Sequence, residues 1–224
     1  MELHDYLYKF QQSLNQNSID FTHYLEIEGQ DVKDLIQQSD DNPSSLELEK
    51  VKLFLINIEK WKADCREEQT GNAIRNTPDA IWLALKQAIK ASDDKTALLS
   101  IMELTGFGVS KDKDTGQRRA KRATAVLRFL YPNNWGVVDW RVVAILGFYT
   151  KNQLNIDLAL QEARKYRMNE MAQIYDLIDE SMAIEIVKQY RNWCTSELPR
   201  TVDVENALYG ASFIVWPRKK GAEI

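Results

Sequence analysis

The stretch that decides the fold runs from Leu104 to Gly147 and reads LTGFGVSKDKDTGQRRAKRATAVLRFLYPNNWGVVDWRVVAILG. It contains, in order, a Gly-x-Gly turn, a basic segment, a short apolar helix and an aspartate at the start of a further helix. A turn built on Gly106 and Gly108 can point successive backbone N–H groups at a phosphate, and a helix N-terminus adds the positive end of its dipole. This order of features predicts a nucleic-acid site with an acid–base residue, Asp139, beside it.

Charge is unevenly distributed along the chain, although the net value of −4 argues against a protein that binds nucleic acid with its whole surface. Residues 1–50 contain three lysines against eleven acidic residues, whereas residues 109–128 contain seven lysines and arginines against two aspartates. The asymmetry predicts one phosphate-facing patch on an otherwise acidic body. The alternative interpretation of residues 109–128 is a solvated loop.

The composition limits the classes of protein to consider. Hydrophobic residues make up 44% of the chain and charged residues 28%, which is typical of an ordered soluble protein. No apolar run approaches the roughly 20 residues of a membrane helix, so we expect no membrane contact and a cytoplasmic location. Cys65 and Cys194 are expected to be reduced thiols, and with His4 and His23 they are too few for a zinc or iron–sulfur site. We therefore expect no metal and no cofactor.

The pattern of helix starts and stops predicts an all-α protein, because the alternating runs that mark strands are missing. Thr77-Pro78 is a typical helix start, and Ser92-Asp93-Asp94 offers caps for the helix that follows. Asp139 stands where a helix N-cap is expected. We predict helices over residues 2–14, 32–38, 45–68, 78–91, 95–104, 119–131, 140–149, 156–166, 170–197 and 202–211, and a short extended piece over 135–138.

Two of these helices carry patterns that bear on function. Between residues 45 and 68, the positions that recur at helical spacing are Leu48, Val51, Leu55, Ile58 and Lys62. In the helix that begins near Lys121, a turn of 100° per residue places an apolar stripe on one side and a polar surface on the other. The stripe is Ala123, Val126, Leu127 and Leu130, and the outward side is Lys121, Thr124, Ala125 and Arg128.

Helix, Gly-x-Gly hairpin, helix, short loop and helix-capping aspartate together resemble the helix-hairpin-helix (HhH-GPD) DNA glycosylase superfamily. The hairpin of that family is usually Leu-Pro-Gly-Val-Gly, and here it is Leu104-Thr105-Gly106-Phe107-Gly108. The Val-x-Asp pattern of the family is Val137-Val138-Asp139 here. A lysine opens the second helix in the lyase-active branch, and Lys121 lies 18 residues before Asp139. Residues 109–120, between the hairpin and Lys121, make the chain a divergent member with an insertion.

The resemblance implies a fold as well as a motif. It predicts an all-α, two-lobed helix-hairpin-helix DNA glycosylase-like fold that forms one compact unit. Residues 1–76 would be an N-terminal helical part, and residues 77–150 the helix-hairpin-helix core with the aspartate. Residues 151–224 would be C-terminal helices that pack on the N-terminal part.

The function that the resemblance implies is excision of a damaged or modified base from double-stranded DNA, by flipping the nucleotide and cleaving its N-glycosidic bond. Asp139 would be catalytic, and Lys121 would add an AP lyase activity through a Schiff base. Such a protein would associate with the nucleoid when bound to DNA. The residues expected to contact DNA are Gly106, Phe107, Gly108, Arg118, Arg119, Arg122, Arg128 and Arg141. Aromatic candidates for the wedge or the base pocket are Phe107, Trp140, Trp82 and Trp61.

Other interpretations remain open from the sequence. Asp139 can be a helix cap with no chemistry, and Lys121 a phosphate contact or a solvated residue. Residues 109–120 are either a mobile finger over DNA or a tolerated surface insertion. The whole chain can be a catalytically inactive helix-hairpin-helix DNA-binding module in repair or phage defence. A third candidate is an α-helical protein-interaction module whose acidic N-terminal part binds a basic partner.

Overall fold

A computed structural model describes residues 2–14, 16–39, 42–62, 71–108, 120–174 and 178–217. The regular elements in these ranges are helices, which confirms the all-α prediction. No helix in the described ranges is long and apolar enough to cross a membrane. The helices are α1 Leu3–Ser13, α2 Gln16–Gln38, α3 Ser45–Lys62, α4 Pro78–Lys90, α5 Asp94–Met102, α6 Lys121–Leu130, α7 Trp140–Lys151, α8 Ile156–Ala163, α9 Met168–Ile174, α10 Glu180–Asn192 and α11 Thr201–Val215, with a short 3-10 helix at Ala73–Arg75.

Local capping chemistry places several helix starts where the sequence predicts them. Thr77 accepts a hydrogen bond from the backbone N–H of Ala80 at 3.2 Å, and Pro78 occupies the first turn of α4. Asp93 accepts from the backbone N–H of Thr96 at 2.9 Å and begins α5. Each side chain satisfies a donor that has no partner inside the helix, so these boundaries are set by local sequence.

Two predicted helix extents are wrong. The predicted helix 32–38 begins sixteen residues earlier, at Gln16, because the buried face of α2 includes Ser18, Glu28 and Gly29, which hide the apolar period. The predicted helix 170–197 is two helices, α9 and α10. Asp179 lies between them in an extended conformation and accepts from the backbone N–H of Met182 at 2.8 Å, which starts α10 anew.

The helices pack in two groups. Helices α2 to α6 form the first group. In the second group, α11 contacts α1, α7, α8 and α10. Charged pairs connect the groups: Lys62 on α3 meets Asp139 before α7, and Asp94 on α5 meets Arg191 on α10 at 2.5 Å. The candidate site lies at the first of these junctions.

Helix α6 is central in the first group, and every residue from Ala123 to Leu130 is buried. Helix α2 crosses it so closely that a Cβ on Gly29 would overlap the backbone carbonyl of Phe129. Backbone atoms cannot rotate away as a side chain can. The closeness of this crossing therefore depends on the absence of a side chain at residue 29.

We predict that Gly29→Ala destabilises the protein. Helix propensity favours alanine by about 1 kcal/mol, but overpacking against the α6 backbone costs about 1–3 kcal/mol and forces the helices apart. Because the overlap is with backbone atoms, the cost lies in the upper half of that range, about 2–3 kcal/mol, and we expect a net fall of about 1–2 kcal/mol in the free energy of unfolding, measured by urea denaturation. Gln37→Ala, on an exposed face of α2, is the control. If Gly29→Ala is as stable as the wild type or more stable, the two helices do not cross as closely as described.

Candidate active site

Asp139 is held at the head of α7 by a buried segment outside the helices, Trp135 to Val138. The hydroxyl of Thr124 accepts from the backbone N–H of Val138 at 3.1 Å, and Tyr190 donates its hydroxyl to the carbonyl of Val137 at 3.2 Å. One carboxylate oxygen of Asp139, Oδ1, then accepts from the backbone N–H of Arg141 at 3.2 Å. The predicted N-cap is confirmed, and the residues before it are fixed from both sides.

The other oxygen, Oδ2, lies 3.1 Å from the ammonium nitrogen of Lys62, and each of the two side chains is 21% exposed. Burial is the largest effect on the Asp139 carboxyl and raises its pKa. The positive charge of Lys62, the Arg141 N–H and the charge of Lys121 together outweigh burial, so the pKa of Asp139 lies below its usual value. Asp139 is thus an ionised carboxylate at neutral pH with part of its surface open to solvent.

Lys121 is the first residue of α6, and it is partly exposed. Its charge contributes to the lowered pKa of Asp139, so the structure brings the two predicted catalytic residues into one electrostatic environment. The prediction that Lys121 opens the second helix is confirmed. Its chemical role stays a prediction.

Lys62, the last residue of α3, is the site residue that the sequence prediction missed. Partial burial is the largest single influence on the Lys62 ammonium group and by itself lowers its pKa. Attraction to Asp139, Tyr209 and Glu205 outweighs this effect, and the pKa of Lys62 is raised. The available signal was its position: a lysine in register with an apolar helical stripe must find a partner for its charge.

The Gly-x-Gly turn serves packing to a greater extent than predicted. Gly106 has φ of +81°, which a residue with a side chain adopts only with strain, and a Cβ there would overlap Asn72. Phe107 is 1% exposed and Gly108 lies buried against Met102. The prediction that the Phe107 side chain contacts DNA or acts as a wedge is therefore wrong, because the ring is part of the core.

Backbone groups of this turn are also used inside the protein. The N–H of Thr105 donates to the side chain of Asn76 at 2.9 Å, and Asn76 donates back to the carbonyl of Thr105 at 3.1 Å. The N–H of Phe107 donates to the carbonyl of Leu104 at 3.0 Å. These two N–H groups cannot bind a phosphate while the turn keeps this shape.

Glu59, on the last turn of α3, connects this helix to residues 71–73 and, through Arg122, to the Gly-x-Gly turn. Its carboxylate is 3% exposed and accepts from the backbone N–H groups of Gly71, Asn72 and Ala73 at 2.9 to 3.0 Å. The side chain of Asn72 donates to it as well, and Arg122 reaches it at 3.1 Å. Arg122 also donates to the carbonyl of Gly106 at 3.4 Å. Arg122 thus makes a structural contact that joins α3, the turn and α6; its side chain is 32% exposed, and its predicted DNA contact stays a prediction.

Arg128 shows the largest difference between its predicted and its observed environment. It was expected on the outward face of α6, with Thr124 and Ala125, but its side chain is 1% exposed and Thr124 and Ala125 are fully buried. The guanidinium packs on Trp61, with 5.1 Å to the ring centre, and lies 3.5 Å from Glu26 and 3.6 Å from Glu205. A single helical projection fails here because helices cover α6 on every side, so Arg128 cannot contact DNA.

Arg141 binds the C-terminal end of the described chain. It donates to the carbonyl of Trp216 at 2.6 Å, and its guanidinium lies 4.8 Å from the ring centre of Trp140 and 5.3 Å from that of Phe213. The side chain is half-buried. Its predicted contact with DNA stays a prediction, and it would have to be made alongside these contacts.

Several predicted features lie partly or wholly outside the described residues. Residues 109–119 of the predicted insertion lie outside the described residues, and these include Arg118 and Arg119. The last residue of that insertion, Ala120, is fully buried, and its N–H donates to the carbonyl of Ile178 at 2.9 Å. The chain is therefore fixed at the point where it enters α6.

The aromatic candidates differ in their surroundings. Trp82 is 4% exposed, and Trp61 is half-buried, with its ring edge-on to Phe129 at 4.9 Å and its N–H donated to Thr22 at 3.0 Å. Trp140 is partly exposed and follows Asp139 directly in the chain. Its ring packs against Trp216, with 5.6 Å between the ring centres, and its predicted role in contacting a base stays a prediction.

Comparison with known proteins yields no relative: no family model, no curated protein and no solved structure matches the chain. Within the described residues, no group of three or more histidine, cysteine, aspartate or glutamate side chains is placed to hold a metal ion. The resemblance to helix-hairpin-helix glycosylases stays an expectation based on the motif itself.

We predict that Glu59→Gln lowers the free energy of unfolding by about 2–4 kcal/mol, because the amide keeps one acceptor oxygen where several donors converge and leaves Arg122 without its charge partner. Urea denaturation measures the loss. Glu49→Gln, at an exposed position of the same helix, should change stability by less than about 0.5 kcal/mol. Equal stability of the two variants would show that Glu59 does not hold the turn.

Proposed function

We propose that this chain is a DNA glycosylase that flips a damaged or modified base out of a duplex and cleaves its N-glycosidic bond. The observation that carries the proposal is the Asp139 carboxylate: it is ionised, partly exposed, fixed at a helix head and placed near Lys121 at the head of a second helix. The two helix groups would correspond to the two lobes of a helix-hairpin-helix glycosylase, with this carboxylate at their junction.

The chemistry requires a carboxylate in this state. When the bond from C1′ to the base nitrogen breaks, the electron pair leaves with the base and positive charge develops on the sugar. An anion near C1′ stabilises that charge, and it can accept a proton from the water that forms the new C1′–O bond. A protonated aspartate could do neither, so the lowered pKa of Asp139 favours this function.

The positive charges that support DNA binding are fewer than the sequence suggests. Arg128 is buried and Arg122 pairs with Glu59, whereas Lys121 and Arg141 are partly exposed at the described site; Arg118 and Arg119 lie outside the described residues. Phosphate contacts position a duplex without reading its sequence. Binding is therefore expected to be salt-sensitive and dominated by the residues near the start of α6 and α7.

We predict that Asp139→Asn reduces base release by about 10²–10⁴-fold. Asparagine caps a helix as well as aspartate does, so the change removes the charge and keeps the cap. The assay incubates the protein with duplexes that contain oxidised, alkylated, deaminated or phage-type modified bases and measures abasic sites. Asp179→Asn, at the equivalent cap of α10, is the matched control and should retain full activity.

The outcomes separate the candidate functions. Base release that survives Asp139→Asn would refute the assigned mechanism. Salt-sensitive duplex binding without base release from the wild type would favour the inactive DNA-binding module. Absence of duplex binding at low salt would favour the protein-interaction module, with the acidic N-terminal residues as its contact surface.

The lyase activity is a separate prediction. In that reaction the neutral amine of Lys121 attacks C1′ and the base leaves with the electron pair of the broken bond. The C1′–O4′ bond then opens, O4′ takes up a proton and the nitrogen loses one, and borohydride can reduce the resulting Schiff base to a stable crosslink. We expect the wild type to crosslink and Lys121→Met to lose the crosslink while it still releases base. Lys90→Met, an exposed lysine of α4, should crosslink normally. Crosslinking by Lys121→Met would exclude Lys121 as the nucleophile.

A further inference from the structure

The direct partner of the Asp139 carboxylate is Lys62, which belongs to a different helix group and lies 77 positions earlier in the chain. Oδ1 of Asp139 is used by the helix cap, at the Arg141 N–H. Oδ2 is the remaining oxygen, and the Lys62 ammonium lies 3.1 Å from it. The contact connects the end of α3 to the head of α7.

An ion pair between two side chains that are each 21% exposed contributes little net stability, because the costs of desolvation and of fixing two side chains cancel most of the attraction. The contact matters more for the state of the Asp139 carboxylate. The charged and titratable groups around Asp139 come from each neighbouring element: Lys62 from α3, Lys121 from α6, Tyr190 from α10, and Glu205 and Tyr209 from α11. Lys62 is the cation among them that is in hydrogen-bond contact with the carboxylate.

We propose that Lys62 is a positioning residue that keeps Asp139 anionic and fixes the direction of its second oxygen. The inference deepens the proposed glycosylase function, although the electrostatic part of it holds for the protein whether or not it cleaves DNA.

Burial and the nearby Glu205 carboxylate both oppose ionisation of Asp139. Burial is the largest single influence on the Asp139 pKa, and Glu205 and Asp139 repel each other. Without Lys62, the Arg141 N–H and the more weakly coupled Lys121 would have to balance these effects alone. We therefore expect the pKa of Asp139 to rise when the charge of Lys62 is removed, and Asp139 to be protonated at a higher pH.

The first test needs no substrate. The carboxyl carbon of Asp139 is followed by NMR against pH in protein labelled at aspartate, and Asp139→Asn assigns the signal. The wild type should titrate below the usual value for aspartate, Lys62→Met should titrate higher, and Lys62→Arg, which retains the charge, should stay close to the wild type. Lys60→Met, an exposed lysine on the same helix, should leave the titration unchanged.

Two results would overturn the inference. One is a wild-type Asp139 that titrates at or above the ordinary aspartate range, a measurement that requires no variant to fold. The other is an equal rise in Lys62→Met and Lys62→Arg, which would show that the charge of residue 62 is not the cause. Thermal melting by circular dichroism accompanies each variant, and Lys62→Gln replaces Lys62→Met if the latter does not fold.

The second test applies if the wild type releases a base. In Lys62→Met the acidic limb of the pH–activity profile should move to higher pH, with a loss on the order of tenfold at mildly acidic pH and recovery at alkaline pH. Lys62→Arg should restore the wild-type profile. A different result would refute a positioning role. If Lys62→Met loses activity at every pH and also loses borohydride crosslinking, while Lys121→Met still crosslinks, Lys62 is the nucleophile. If no base is released, the glycosylase proposal fails while the NMR result stands.

Discussion

The buried carboxylate of Glu59 is the interaction on which the candidate site depends. It accepts hydrogen bonds from the backbone N–H groups of residues 71–73, and it pairs with Arg122 at the start of α6. Because Arg122 also reaches the Gly106 carbonyl, one acidic side chain fixes α3, the glycine turn and α6 relative to one another. Lys62 lies three residues after Glu59, on the same face of α3, and binds Asp139. The last turn of α3 therefore sets the positions of both helix heads that carry the proposed catalytic residues.

Charges buried between the helix groups form a second, deeper set of contacts. Arg128 lies between Glu26 and Glu205, and Arg200 reaches Glu26 at 3.2 Å. Burial lowers the pKa of Arg128 and raises that of Glu205, and the attraction between the two groups opposes both shifts. Such pairs contribute little net stability but penalise any other alignment of the helices. They offer a physical reason for a defined junction at the place where Asp139 is held.

Much of the fold follows from local sequence, and the errors have identifiable causes. The caps at Thr77, Asp93 and Asp139 were predicted because a short polar side chain at a helix start satisfies backbone donors wherever the helix packs. The length of α2 was missed because its buried face contains Glu28 and Gly29, whose partners come from α3 and α6. Arg128 was placed outward because a helical projection assumes one buried side, whereas α6 has neighbours all around.

The sequence by itself determined that the chain is helical, where most helices begin, and that Lys121 and Asp139 each stand at a helix head, since these features depend on residues a few positions apart. Only the tertiary structure decided which charges meet. Lys62 and Asp139 are 77 positions apart, and Glu59 and Arg122 are 63 apart, so no local pattern pairs them. Burial then makes these pairings obligatory, because an unpaired charge in the interior costs far more than the pair contributes. Of the described residues of the glycine turn and the basic run, Phe107 and Arg128 proved to be buried and Arg122 to be paired with Glu59, while the carboxylate of Asp139 is paired with a lysine from another helix.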